Sequence, residues 1–396
     1  MAMRNLPVER WLLPDGIEEL LPGEAQRMEA LRRRLLDTFC AWGYELVTPP
    51  LIEFLDSLLT GAGHDLELQT FKLTDPASGR LLGLRADMTP QVARIDAHNL
   101  KQKGPTRLCY TGPVLHAYGD ALDVSRSPMQ TGAELYGCAD IEADLEIIRL
   151  MLETLAQAGV LDVHLDLGHV GIYRSLADQA GLDCEDEESL FAILQRKSKP
   201  DLLEFLADYD CPPEIKAMLV ALVDLNGSFD VLTEARKTLA NADRAVISAI
   251  DILETTALNL RKTFPGLPIH FDLAELRGYH YHTGLVFAAL VPGFGKEIAR
   301  GGRYDAIGEV FGRARPAVGF STDLKLLLSY SANFDMPTSK RVVAPLSDDP
   351  DLLDTVHQLR HQGWQVIHAL PNEAIDDAES SHRLVRGENG WEVISE

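Results

Sequence analysis

Between Gly23 and Trp42 the apolar residues Met28, Leu31, Leu35, Phe39 and Trp42 recur at spacings of three and four. That period predicts one amphipathic helix, ended by Gly43. Arg32, Arg33 and Arg34 within it read as its solvated face. The stretch YELVTPPLIEF then reads as a strand interrupted by Pro49 and Pro50. Proline donates no ladder hydrogen bond, so this strand belongs at a sheet edge or boundary. TFKLTD and RLLGLRAD, joined by PASG, predict a hairpin. TPQVARIDAHNL predicts a helix with Thr89 as N-cap and Pro90 as its first residue. RLCYTGPVL and QTGAELYG are strand-like on either side of a loop, AYGDALDVSRSP. ADLEIIRLMLETLAQAG is a helix closed by Gly159, and VHLDLGHV another strand.

Around Gly171 the pattern changes. Residues 171–264 are almost entirely helical in period, with turns at CPPE and NGS, which predicts a helical insertion. It divides a mixed core into residues 1–170 and 265–330. Strand patterns return in IHFDLAELRGYHYHTGLVFAAL and EIARGGRYD, and PAVGFSTDLKLLLSY is a strand running into a helix. Past ANFDMPTSK, residues 338–396 predict a small α/β unit of one helix and several strands.

Charge narrows the partners. The 396 residues hold 37 Lys and Arg against 60 Asp and Glu, a net charge of −23. That balance repels polyphosphates and makes nucleic acid a poor default partner. Cys40, Cys109, Cys138, Cys184 and Cys211 show no C-x-x-C spacing, so the expectation is free thiols in a reducing cytoplasm, with no zinc site. No signal-peptide pattern opens the chain and no window approaches the ~20 apolar residues of a membrane span, so the expected location is cytoplasmic.

The candidate chemistry is soft residue by residue. Asp87 and Thr89 in RADMT stand beside free backbone N–H groups at a helix start, where plain capping would account for them. Gln130 and Glu134, four apart on a strand, share one face, which could equally be a solvent face. His280 and His282 share a face of a presumed strand but lack a third metal ligand at useful spacing. GGRYD, Gly301 to Asp305, suggests a phosphate loop without the Lys-Ser/Thr ending of a P-loop.

The order of these segments is more specific. The series YELVTPPLIEF, LRADMTP, YTGPVL…QTGAELYG, LRGYHYHTG, GGRYD and AVGFSTDL, from about Leu13 to Leu328, resembles histidyl-tRNA synthetase. The resemblance implies an α+β fold, a class II synthetase-like antiparallel sheet flanked by helices, in which an early helix and the Pro49-Pro50 strand form a two-fold dimer. It implies a histidine pocket of Asp87, Thr89, Gln130, Glu134, Arg277, Tyr281, His282 and Tyr304. Asp87 stands for the family's glutamate and His282 for a tyrosine. The chemistry is coherent unaided: carboxylates suit an amino group or imidazole N–H, Arg277 suits a carboxylate, and aromatics flank a ring.

The departures fall on the nucleotide side. Where class II synthetases place an arginine on the ATP α-phosphate, this sequence has His116, and Tyr118 replaces a nearby glutamate. The Gly-Leu-Glu-Arg ending of the third motif is here Asp323-Leu324-Lys325-Leu326. Each lost donor to transition-state charge costs ~10²–10³ in rate at comparable sites. From Ser331 onward twelve acids face five bases, the wrong sign for gripping tRNA. This combination is similar to the regulatory subunits of ATP phosphoribosyltransferase. That likeness implies a non-catalytic, cofactor-free subunit of a hetero-oligomer, partnered with a short-form catalytic subunit and carrying L-histidine as feedback effector. The alternatives are a degenerate histidyl-tRNA synthetase or other ATP-dependent aminoacyl ligase, and a histidine-sensing module of another system.

Overall fold

The structure, a computed structural model, describes residues 12–61, 64–119, 125–275, 278, 281–331, 334, 340–371, 382–388 and 390–395. The chain divides into two compact units, Met1–Phe334 and Asp335–Glu396.

Helix α1 (Pro22–Ala41) opens the described part of the first unit and buries Leu31, Leu35 and Phe39 completely, as its apolar stripe requires. Each such side chain contributes about 1.5–3 kcal/mol. Arg32 and Arg33 pair with Glu29 on the outer face. The proline-interrupted segment becomes two short strands in different sheets: β1 (Glu45–Leu46) and β2 (Ile52–Phe54). Unable to donate, Pro49 and Pro50 supply carbonyls instead, Pro49 to Arg85 Nη1 (2.7 Å) and Pro50 to Gln91 Nε2 (2.9 Å). Short helices α2 (Leu55–Leu58) and α3 (His64–Gln69) lead to the expected hairpin, β3 (Phe71–Thr74) and β4 (Leu81–Leu84), which with β2 forms a three-stranded sheet. In α4 (Thr89–Arg94) the N-cap is Met88 rather than Thr89, and the helix runs on as a π-helical stretch, Ile95–Leu100. The capping acceptor is one position earlier still, because Asp87 Oδ1 accepts from the Thr89 N–H (2.9 Å).

The main sheet gathers β5 (Thr106–Pro113), β6 (Met129–Tyr136), β7 (His164–His169), β8 (Asn226–Gly227), β9 (Ile269–Asp272), β10 (Leu285–Leu290), β11 (Glu297–Arg303) and β12 (Ala317–Asp323). With β1 its order is β1-β5-β6-β12-β11-β10-β7-β9-β8. The pairs β1–β5 and β7–β9 are parallel and the rest antiparallel, and β1 lies at an edge of the sheet, ending before Pro49 and Pro50. Helix α5 (Ile141–Gln157) and α1 cover one face. Phe39 of α1 meets Phe320 of β12 edge-on, ring centroids 6.2 Å apart. Alternation then turns Gly319 and Ser321 to the opposite face. Between β7 and β9 run α6 (Val170–Ala180), α7 (Cys184–Gln195), α8 (Lys199–Asp208), α9 (Pro213–Leu222), α10 (Asp230–Thr238) and α11 (Arg244–Thr263). Helix α12 (Leu324–Tyr330) continues directly from β12.

GGRYD is not a loop. Gly301 to Arg303 lie inside β11, and Arg303 turns to the helix-covered face, where it grips Asp144 of α5 through two bonds of 2.9 and 3.0 Å. Tyr281 and His282 sit in a turn and connecting segment ahead of β10, so the argument that His282 shares a strand face with His280 fails; His280 itself lies outside the described residues.

The second unit has β13 (Arg341–Ala344), α13 (Pro350–His361), β14 (Gln365–His368), β15 (His382–Gly387) and β16 (Gly390–Ser395). Its sheet order is β14-β13-β15-β16, with a core of Val342, Ala344, Leu352, Val356, Val366 and Leu384.

Candidate functional site

On the face of the main sheet away from α1 and α5 lies a cavity of about 650 Å³, with residues of α7 on its wall. That volume is within the usual range of small-molecule sites. Asp87, Thr89, Glu134, Tyr281, His282 and Tyr304 line it.

Glu134, 1% exposed, is the hub. Tyr110 donates to its Oε1 (2.9 Å) and Tyr304 donates to its Oε2. Burial pushes the Glu134 carboxyl up to about 8, although the two phenol donors pull the other way. The carboxylate reaches over Gly319 on β12, where an added Cβ would sit 1.4 Å from Glu134 Oε2. Only glycine at 319 leaves that carboxylate its place. Two pleat periods along β6, Gln130 accepts from the Met88 N–H (2.9 Å) and donates to Asp87 Oδ1 (2.8 Å). This fixes the amide orientation and ties β6 to the start of α4. Thr89 shares a hydrogen bond with Tyr110 (3.1 Å), so Asp87, Thr89, Gln130 and Glu134 belong to one polar assembly.

The aromatic wall forms beside it. Tyr281 stacks on Tyr304 with ring centroids 4.9 Å apart and meets His282 edge-on at 5.4 Å. The Tyr281 hydroxyl and His282 Nδ1 are buried with no hydrogen-bond partner among the described residues. Burial lowers the His282 imidazole to about 4, so it is neutral at physiological pH. Gly302 makes room for that ring, since a Cβ there would come within 2.8 Å of it. Arg277 lies outside the described residues, and the others of the sequence-derived set come together here.

Sequence reading missed Tyr110, which looks like an ordinary strand aromatic but bridges Thr89 and Glu134. It also missed Arg300 and Ser321, whose arrival in the cavity depends on strand register. Among the described residues no group of three or more His, Cys, Asp or Glu is placed to hold a metal ion.

The nucleotide-side positions look different. His116 Nε2 lies 3.1 Å from the Ala86 carbonyl oxygen. Arg126 donates to three backbone carbonyls, those of His116, Ala117 and Asp15, at 2.7 to 3.2 Å. Asp323 caps α12 by accepting from Lys325 N (3.0 Å) and also accepts from Met129 N (2.8 Å). Lys325 Nζ is held by Glu18 (2.9 Å) and Ser127 (3.1 Å), and Leu326 is its neighbour on α12. Tyr118 is 71% exposed.

Residues 16–327 match the family model for histidyl-tRNA synthetase, and residues 339–394 match that for the ATP phosphoribosyltransferase subunit HisZ C-terminal domain. A protein of Methylococcus capsulatus named ATP phosphoribosyltransferase regulatory subunit is 57% identical over 384 residues, spanning 96% of this chain and 95% of its own. One of the same name from Pseudomonas syringae pv. syringae is 55% identical over 390 residues, 98% of each chain. A solved structure from Bacillus halodurans, described as an ATP phosphoribosyltransferase regulatory subunit/histidyl-tRNA synthetase, aligns with a TM-score of 0.80 at 26% identity, covering 93% of this chain and 95% of that one. Histidyl-tRNA synthetase from Nostoc sp. PCC 7120 shares the fold, with a TM-score of 0.77 at 20% identity over 96% and 92% of the two chains. From identity sustained over nearly the whole length and a class II synthetase-like α+β core, the chain belongs to the family of ATP phosphoribosyltransferase regulatory subunits.

Proposed function

We propose that this protein is a non-catalytic subunit that binds L-histidine in the Glu134 cavity and transmits its occupancy to a short-form ATP phosphoribosyltransferase catalytic subunit, as feedback on the first step of histidine biosynthesis. One observation carries the reading. Asp87, Thr89, Glu134, Tyr281, His282 and Tyr304, all matched to amino-acid binding, line a single cavity, with Gln130 bonded to Asp87, while the positions matched to the ATP arginines are His116 and Leu326. Two nearby cations are engaged elsewhere, Arg126 by backbone carbonyls and Lys325 by Glu18. Adenylate formation needs donors aimed at developing phosphate charge, and none of these described groups is arranged to supply one.

In this reading the Glu134 carboxyl and the stacked Tyr281 and Tyr304 take the imidazole, and Asp87 with Gln130 takes the amino end. Control requires that histidine prefer one conformation of the assembly; a coupling of ~1–3 kcal/mol gives roughly 5–150-fold control. The test has two parts. Purified protein with histidine and ATP should show no ATP–pyrophosphate exchange; turnover above stoichiometric background would refute the non-catalytic role. In the complex with the catalytic subunit, Gln130→Ala should weaken histidine binding about five- to 150-fold, one lost hydrogen bond, and weaken feedback in step. Uninhibited turnover should survive. Feedback unchanged in this variant would place the sensor elsewhere.

A further inference from the structure

Helix α7 stops on a residue that backbone geometry disfavours. The Lys197 N–H donates to the Leu194 carbonyl (2.9 Å) and the Ser198 N–H to the Ile193 carbonyl (3.3 Å). These are the paired bonds of a Schellman stop, and they place Lys197 in the left-handed region at φ +50°. Glycine is the usual residue there, because a Cβ crowds its own backbone in that conformation. A lysine carries strain that something else must offset. The offset is Asp272 at the end of β9. Lys197 Nζ donates to its Oδ2 (2.5 Å), and the Asp272 side chain is only 8% exposed. An ion pair with one partner buried is screened less than a pair in open solvent.

The same carboxylate stands at the start of the connection that delivers Tyr281 and His282 to the cavity. Its other oxygen, Oδ1, accepts from the Ala274 N–H (3.1 Å) just past β9. At His282 the connection is held again, where Arg174 of α6 donates from Nη2 to the His282 carbonyl (3.2 Å). The two helices are themselves joined, since the Tyr173 hydroxyl of α6 donates to the Glu187 carbonyl of α7 (2.9 Å). Helix α7 also faces the cavity directly. Glu188, Phe191 and Gln195, spaced three and four, share one face and line it, while Leu190, Ile193 and Leu194 are buried. A ligand in the cavity therefore meets α7 on its flank, and α7 meets the pocket connection at its end.

We propose that Lys197 is a positioning residue for control by histidine: it latches α7 to Asp272, so that occupancy of the cavity is passed to the helices between β7 and β9. This rests on the cavity being the histidine site and adds the route by which occupancy leaves it. Coupling needs an element with two arrangements close to balance. The left-handed strain at Lys197 favours release and the ion pair favours the latched form. A ligand that touches both the sheet and the flank of α7 decides between them.

Lys197→Gly separates the latch from the helix stop, because glycine keeps the left-handed residue without strain and removes the ammonium. Asp272→Asn keeps an acceptor for the Ala274 N–H and removes the charge. Calorimetry of the full chain reports L-histidine affinity, hydrogen–deuterium exchange reports α7, and histidine inhibition of the complex with the catalytic subunit reports control. In the wild type, saturating L-histidine should slow exchange in α7 about fivefold or more. Both variants should lose that slowing and most of the inhibition, while histidine affinity changes less than about fivefold. Lys197→Arg should keep all three, since a guanidinium can also pair with Asp272. The thermal midpoint of Lys197→Gly should stay close to wild type, relief of strain offsetting the lost pair. Histidine that binds wild type without slowing α7, or slowing that survives in Lys197→Gly, would overturn the latch and leave the cavity reading intact. A Lys197→Gly chain that loses affinity, midpoint and slowing together would make the residue structural and overturn it as well. A wild-type chain that binds no histidine would refute the cavity reading itself.

Discussion

Strands β5, β6 and β12 carry both ends of the site, and the two ends treat polar groups in opposite ways. At the loop end two cations are engaged within the protein: Arg126 on backbone carbonyls and Lys325 on Glu18 and Ser127. At the cavity end polar groups are buried and left open among the described residues: the Tyr281 hydroxyl and His282 Nδ1 have no hydrogen-bond partner there, and Glu134 is met by phenol donors. A satisfied group contributes stability and is closed to ligands. An unsatisfied buried group costs stability until a ligand arrives. In the proposed reading, function has moved to the end where the fold is least satisfied.

The comparison is broken most severely at its most satisfied cation. Arg303 and Asp144 are both buried, 9% and 5% exposed, and joined by two hydrogen bonds. Arg303→Ala should therefore lower unfolding free energy by about 3–5 kcal/mol, since it leaves Asp144 buried and uncompensated. Denaturant titration measures this. A loss below ~1 kcal/mol would show that Arg303 is available for a ligand after all, as its place in GGRYD suggests.

Glu134 gives a smaller effect with a definite sign. Its carboxyl is raised from 4.5 to about 8, so between those values the folded chain holds a proton that the unfolded chain has released. That contribution to stability is fully present below pH 4.5 and is lost as pH rises through about 8. His282, lowered from 6.5 to about 4, works the other way, its contribution falling as pH drops below 6.5. A scan from pH 6.5 to 9 isolates Glu134. The ligand-free protein should lose several degrees of thermal midpoint across it, and Glu134→Gln should lose clearly less. Parallel curves would mean Glu134 is ionised in the folded chain at neutral pH.

Much of this arrangement is legible in the sequence where periodicity is local. The α1 stripe, the β3–β4 hairpin and the shared face of Gln130 and Glu134 follow from spacings of three, four and two. What escaped depends on partners far away in the chain. Thr89 looked like an N-cap, yet its hydroxyl is drawn to Tyr110, twenty-one residues on, and Asp87 does the capping. GGRYD looked like a phosphate loop because two glycines precede a cation. In β11 the glycines are there for close packing, with Gly302 making room for the His282 ring, and the arginine answers Asp144 of α5. Arg300 could not be assigned to the cavity at all without the register that sets it between Ser321 and Ala288.

The finest test concerns the Tyr281 hydroxyl, and its expected effect on stability is the smallest. The ring stacks on Tyr304 and is half-buried, while its hydroxyl is buried and finds no partner among the described residues, so the phenol is held firmly protonated. Tyr281→Phe keeps the ring and its stacking and removes only the unsatisfied group. The ligand-free chain should then be unchanged or stabilised by up to about 1 kcal/mol, because an apolar replacement of an unpaired buried group carries no hydrogen-bond loss. Histidine binding should move the other way, weakening about three- to tenfold if the hydroxyl is completed by the ligand. Opposite signs for stability and affinity are the signature of a group left open for a ligand. If Tyr281→Phe instead destabilises the ligand-free protein by more than ~1 kcal/mol while leaving histidine affinity intact, the hydroxyl is satisfied in solution, and the contrast between the two ends of the site weakens at its most exposed point.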